Sequence, residues 1–102
     1  MIIYVDIDET ICSIELPERD YSKAAPIKQR ISKINDLYDS GNTIIYWTAR
    51  GSSTGIDWEI TTKGQLEKWG AKHHSLKMGK PEYDLFIDDK NINSEVFFKD
   101  TQ

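Results

Sequence analysis

Asp6 and Asp8 stand two positions apart just after the apolar run Ile2-Ile3-Tyr4-Val5, and a second acidic doublet, Asp88-Asp89, closes the run Leu85-Phe86-Ile87. Carboxylates two apart at the end of a strand project to the same side. They repel unless a cation or a shared proton offsets their charge. Acids from both runs, gathered on one rim, would suit Mg²⁺, a hard cation that favours oxygen ligands and keeps some of its waters. Between them, Thr48-Ala49-Arg50-Gly51 offers a hydroxyl, backbone donors and a guanidinium that either meets substrate phosphate or pairs with a nearby acid. Lys80, in Met78-Gly79-Lys80-Pro81, adds a fixed positive charge. A nucleophilic carboxylate, a second carboxyl for proton transfer, a metal, a hydroxyl and a lysine together describe phosphoryl transfer.

These residues need a scaffold that brings distant positions to one edge. Ile2–Val5, Ile44–Trp47 and Leu85–Ile87 are continuous apolar runs rich in β-branched and aromatic residues, which predicts strands buried on both faces. Lys72–Leu76 is a weaker fourth strand. Ile27, Ile31, Ile34 and Leu37 or Tyr38 recur at helical spacing, with Pro26 at the first turn and Gly41 as the stop. A second helix is expected from Thr54 to Trp69, with Trp58, Leu66 and Trp69 inward and Gly70 closing it, although Gly64 weakens its interior. This alternation predicts a single α/β domain over residues 1–102, a three-layer, Rossmann-like parallel sheet with helices on both faces. Ligands of such sheets bind beyond the carboxyl ends of the strands, where Asp6, Thr48 and Asp88 fall.

The order Asp6-Ile7-Asp8-Glu9-Thr10, Ile44 to Thr48, Lys80, Asp88-Asp89 resembles the motif series of the haloacid-dehalogenase-like phosphohydrolase superfamily, spanning positions 2 to 89. Within it, Trp47–Gly51 and Gly79-Lys80-Pro81, followed by Tyr83-Asp84 and Ile87–Lys90, are similar to small phosphatases of capsular polysaccharide biosynthesis. The resemblance implies that Asp6 attacks phosphorus and becomes an aspartyl-phosphate, while Asp8 protonates the leaving oxygen and then activates water. It implies that Thr48, with Ala49 and Arg50, binds the phosphoryl group, and that Lys80 neutralises charge. Asp6, Asp8, Asp88 and Asp89 would hold Mg²⁺, Asp8 through its carbonyl. Superfamily dehalogenases lack an acid at the Asp8 position, so its presence points to a phosphatase. Lys77 is the rival for the lysine role, and the Gly79 and Pro81 flanks favour Lys80. The intervals between the motifs are filled by helix, which predicts a minimal, cap-less core with an open site. The expected substrate is a phosphorylated sugar or polysaccharide precursor.

The remaining features bound the partners. Thirteen Lys and Arg against seventeen Asp and Glu give a net charge of -4, which disfavours nucleic acid as a partner. The single cysteine, Cys12, excludes an internal disulfide and reads as a small apolar side chain. No run is long enough to span a membrane, and Ile2–Val5 ends in an acid, so neither a membrane anchor nor a signal peptide is expected and a cytoplasmic location is. His73 and His74, as neighbours on a strand, face opposite ways and read as structural. Leu16–Pro26 reads as a surface loop or flap, with Tyr21 and Lys23 exposed. An open site is compatible with a homo-oligomer, although no pattern specifies one. The alternatives to an enzyme are a non-catalytic Mg²⁺-binding module and a phosphoreceiver-like domain. The latter places its phosphorylated Asp mid-chain, where this chain has Thr48.

Overall fold

A computed structural model describes residues 1–14 and 20–101 of the chain. β1 (Ile2–Val5), β4 (Thr43–Trp47) and β5 (Ser75–Lys77) form a parallel sheet in the order β1-β4-β5. β1 pairs with β4 in the register Ile2↔Thr43 to Val5↔Tyr46, and β4 with β5 from Ile45↔Ser75 to Trp47↔Lys77. β2 (Cys12–Ser13) and β3 (Ala25–Pro26) make a short antiparallel pair beside the first loop. α1 (Lys28–Asp39) joins β3 to β4, α2 (Glu59–Lys68) joins β4 to β5, and α3 (Ser94–Phe97) is a single turn near the end. No helix among the described residues is long and apolar enough to cross a membrane.

Strand pleating sorts the side chains. Val5, Ile44 and Tyr46 are buried with Ile31 and Ile34 of α1, Leu66 of α2, and Phe98. Asn35 of α1 ties that helix to the chain that follows α2: it donates from Nδ2 to the Gly70 carbonyl (2.8 Å) and accepts from the Lys72 N–H (2.9 Å). Their placement follows from handedness. Two right-handed crossovers that step the same way along a sheet must put both helices on the same face.

The parallel sheet with its helices bears out the α/β class, and among the described residues both crossovers step the same way along the sheet. A second layer needs the strand order to reverse at β1, and Leu85–Ile87 does not supply the reversal. It forms no strand, and Leu85, Phe86 and Ile87 are exposed. Among the described residues β1 is therefore an edge strand rather than one buried on both faces, with Ile2 and Tyr4 exposed beside half-buried Ile45 and Trp47.

Smaller departures have local causes. α2 begins at Glu59, not Thr54, because Gly51 and Gly55 take positive φ and Asp57 accepts the Glu59 N–H (2.9 Å), so residues 51–58 turn before the helix starts. Pro26 pairs with Cys12 in β3, and Ile27 takes the position before α1. The weaker fourth strand falls at Ser75–Lys77, and His74 stacks on Tyr38 (4.7 Å between rings) while accepting the Ile44 N–H through Nδ1. Of the expected flap, residues 15–19 lie outside the described residues. Tyr21–Lys23 form one 3₁₀ turn capped by Asp20.

Tyr46 is the largest fully buried side chain, and its hydroxyl finds no partner among the described residues. Burial alone pushes its pKa up. A buried hydroxyl without a partner loses hydration and gains nothing in return. Tyr46→Phe should therefore leave stability unchanged or raise it by about 1 kcal/mol in urea unfolding. A loss of that size would mean that the hydroxyl is bonded.

Candidate functional site

Parallel pairing of β1 with β4 sets Asp6 and Thr48 at neighbouring strand ends. The chain after β1 turns at once: the Thr10 and Ile11 N–H groups donate to the Ile7 carbonyl (3.1 and 2.9 Å), and the Glu9 N–H donates to the Cys12 carbonyl (2.8 Å). Glu9 takes the left-handed conformation, φ 62°, that closes this turn, an uncommon one for a residue with a side chain. Asp6 and Asp8 are thereby held half-buried on one wall of an open cleft of about 820 Å³.

Asp6 receives two donors. Lys80 Nζ lies 3.2 Å from Oδ1, and Thr10 Oγ1 donates to Oδ2 at 3.1 Å. It is Lys80 that reaches Asp6, whereas Lys77 donates to the Tyr4 hydroxyl (3.0 Å) on the sheet's bare face. Lys80 is fixed through its backbone. Its N–H donates to the Thr48 carbonyl (3.0 Å), and its carbonyl accepts from Ser52 Oγ (2.7 Å). Burial works against the Lys80 ammonium, but the charge of Asp6 and the Tyr83 hydroxyl outweigh it and raise its pKa.

Asp8 has a different partner. Arg50 Nε and Nη2 grip both its oxygens, with contacts of 3.0 and 2.8 Å, and the Arg50 side chain is fully buried. The same guanidinium donates to Thr62 Oγ1 (3.0 Å) and Gln65 Oε1 and lies 4.9 Å from the Tyr21 ring centre. Of the two roles open to Arg50, pairing with an acid is the one found, and its fork is spent on Asp8 rather than left free for substrate. Thr48 is buried beneath the cleft, where its hydroxyl accepts the Arg50 backbone N–H (3.1 Å); Ala49 and Arg50 line the cleft itself. At Gly51, with φ 81°, a Cβ would overlap the Ile56 carbonyl oxygen, so this turn requires glycine.

Asp88 and Asp89 are the sequence-derived site residues that this arrangement leaves out. Asp88 accepts the Lys90 N–H (3.1 Å), Asp89 pairs with the Lys90 ammonium (3.0 Å), and both are exposed outside the cleft. Among the described residues the cleft accordingly gathers two of the four expected magnesium ligands, Asp6 and Asp8. Among the described residues no group of three or more His, Cys, Asp or Glu is placed to hold a metal. Asp6 and Asp8 are the two expected ligands that the cleft gathers, each with a cationic partner in this arrangement.

The sequence reading passed over Thr10, Gln65 and Thr62, whose roles depend on a helix facing the first loop. Tyr21, expected to be exposed, instead lines the cleft and meets the Trp58 ring at 5.2 Å. Cys12 lies behind Asp8 with Sγ 3.4 Å from Oδ1. Burial first, and then the Asp8 charge, push its thiol up to about 12. The thiol is thereby held in its protonated, less reactive form.

No family model matches the chain, and no curated protein does. A solved structure, that of a structural-genomics target protein from Vibrio cholerae, is similar in fold. It has a TM-score of 0.80 and 22% identity, over 94% of this chain and 85% of that one. At that identity the likeness establishes the α/β fold and no more.

Two outcomes test this geometry. Arg50→Lys keeps the charge but loses the planar fork, and should lower stability by about 2–4 kcal/mol in urea unfolding; a loss below about 0.5 kcal/mol would contradict a buried clamp. The folded state also holds the Cys12 proton more tightly than the unfolded chain does. Stability from this source is complete below the ordinary thiol value of 9.0 and is lost as pH rises from there toward about 12. Relative to Cys12→Ala, the native chain should lose about 1.4 kcal/mol per pH unit in that window. Parallel pH profiles would contradict it.

Proposed function

We propose that this chain is a phosphomonoesterase of the haloacid-dehalogenase-like type that works through an aspartyl-phosphate on Asp6. The observation that carries the reading is Asp6 itself: a carboxylate at a strand's carboxyl end, facing an open cleft, with the Lys80 ammonium 3.2 Å away and Asp8 two residues on.

In this reading Asp6 attacks the phosphorus in line with the ester oxygen. A P–O bond forms to Asp6 as the bond to the alcohol breaks, and the departing oxygen takes a proton from Asp8. Water then attacks the same phosphorus, Asp8 recovers a proton, and phosphate leaves with Asp6 regenerated. Lys80 offsets the negative charge that nucleophile and phosphoryl group bring together. The Arg50 fork orients Asp8 well as the base of the second half. For the first half, one Asp8 oxygen must leave the fork to carry a proton. Each step uses the chain's own side chains. A magnesium ion would add charge neutralisation once a third carboxylate joined Asp6 and Asp8.

A phosphorylated sugar or polysaccharide precursor suits the cleft. No cap lies over it among the described residues, and its walls combine Glu9, Glu82 and Asp84 with Tyr21 and Tyr83. Carboxylates accept hydroxyl hydrogen bonds and aromatic rings cover apolar sugar faces, whereas the same acids repel a polyanion. The capsular-polysaccharide assignment rests on the motif resemblance around Lys80 and Thr48 alone. The second reading, a non-catalytic binding module, is favoured by one observation, the position of Asp88 and Asp89, exposed and outside the cleft.

Turnover separates the two readings. With Mg²⁺ present, the chain should hydrolyse an aryl phosphate and should favour sugar phosphates over oligonucleotide end-phosphates. Asp6→Asn should lower the rate at least about 10³-fold. An Asp6→Asn variant as active as the parent would remove the nucleophile assignment, and an inactive parent across a broad ester panel would favour the binding module.

A further inference from the structure

We propose that Gln65 is a positioning residue for the acid step. Through Arg50 it aligns Asp8 with the departing ester oxygen, and through the Tyr21 carbonyl it ties that alignment to the wall against which the alcohol lies. The role rests on the phosphomonoesterase reading of the cleft.

A guanidinium carries five N–H donors in one plane. Nε and Nη2 of Arg50 face the two oxygens of Asp8, at 3.0 and 2.8 Å, and Nη2 also lies 4.0 Å from Cys12 Sγ. Nη1 serves α2 instead, donating to Thr62 Oγ1 (3.0 Å) and to Gln65 Oε1. Thr62 and Gln65 stand three apart in α2 and so share one of its faces. Thr62 is itself held, because its hydroxyl donates to the Trp58 carbonyl (2.7 Å). A planar fork gripped at Nη1 cannot swing about its stem, and the edge that meets Asp8 is aimed from behind.

The Gln65 amide suits this task because it has an acceptor at one corner and donors at the other. Its Oε1 accepts from Arg50, while its Nε2 donates to the Tyr21 carbonyl (2.6 Å). These neighbours also fix which way round the amide sits, since a guanidinium only donates and a carbonyl only accepts. The Tyr21 ring lines the cleft, 4.9 Å from Arg50 Cζ and edge-on to Trp58 at 5.2 Å. Gln65 is half-buried and does not line the cleft, so it acts through its two neighbours and not on substrate.

The proton transfer shows what the anchor does. In the first half-reaction one Asp8 oxygen carries a proton outside the fork, and the other stays within it. The O–H gives its proton to the ester oxygen as the P–O bond breaks, which leaves the free alcohol and an Asp8 carboxylate that both fork donors can grip again. A guanidinium anchored by Asp8 alone would follow the oxygen that turns away. One anchored on α2 stays in place and holds the acid by its remaining oxygen. This help matters in proportion to the basicity of the leaving oxygen: a nitrophenolate departs with little of it, whereas a sugar alkoxide must be protonated.

A series of aryl and sugar phosphates tests the role, with kcat/KM reporting the step in which the alcohol leaves. Gln65→Met, similar in length but without the amide, should lose at least about tenfold more on a sugar phosphate than on p-nitrophenyl phosphate, steepening the dependence on leaving-group pKa. Gln65→Glu keeps an acceptor for Arg50 and gives up the donor to Tyr21. It should hold the parental slope and raise KM for the sugar ester. Equal losses on both kinds of ester, as a loosened fold would give, would overturn the role. So would a Gln65→Glu slope as steep as that of Gln65→Met, and an unchanged KM would overturn the link to Tyr21. An inactive parent would remove the esterase reading and this role together, whereas an active parent with parallel slopes in all three chains would remove this role alone.

Discussion

A fully buried guanidinium must find an acceptor for each of its donors, and that requirement organises the site end of this molecule. Arg50 meets it by drawing on Asp8 from the first loop and on Thr62 and Gln65 from α2. Gln65 in turn donates to the Tyr21 carbonyl (2.6 Å), which brings in the segment before β3. One side chain thus ties the loop after β1, the turn after β4, α2 and the aromatic wall of the cleft into a single unit. Removing a member would strand a buried charge, so the arrangement is kept by the cost of breaking it more than by any net gain in making it.

This clamp divides the labour between the two leading aspartates. Asp8 is oriented by the buried Arg50 guanidinium, while Asp6, two residues earlier, lines the cleft with Lys80 and Thr10 as partners. The Lys80 charge is itself held on the backbone of Thr48, so the hydroxyl residue of the second strand acts as a strut: it braces the Arg50 turn with its side chain and the lysine loop with its carbonyl. The proposed nucleophile thus faces the cleft beside a fixed ammonium.

Much of this was legible in the chain because it depends on local patterns. The runs at Ile2 and Ile44, the 3.6-residue spacing of Ile27 to Leu37 and the motif Asp6-Ile7-Asp8 specify strands, a helix and an acidic rim without tertiary knowledge. The parallel sheet follows from their alternation. What the pattern did not carry is which edge a strand joins. Leu85–Ile87 has the composition of a core strand, and that composition reports what the segment would pair with if a partner were within reach. Its short tether to Lys80 is a constraint of path, invisible to a window of hydrophobicity. The fate of Asp88 and Asp89 follows from that of the strand before them, and so does the bare sheet face. Arg50 was ambiguous for a similar reason, because whether a guanidinium meets substrate or an acid depends on what a distant helix places beside it.

The account stands or falls on Asp6 as the atom that bonds to phosphorus. Rapid acid quenching of the chain during turnover of a phosphate ester, followed by peptide mass analysis, reads this directly. A phosphoryl increment on the peptide containing Asp6, absent from Asp6→Asn, is the predicted result. Steady hydrolysis with no covalent species at any quench time, or a phosphoryl group on another residue, would contradict it.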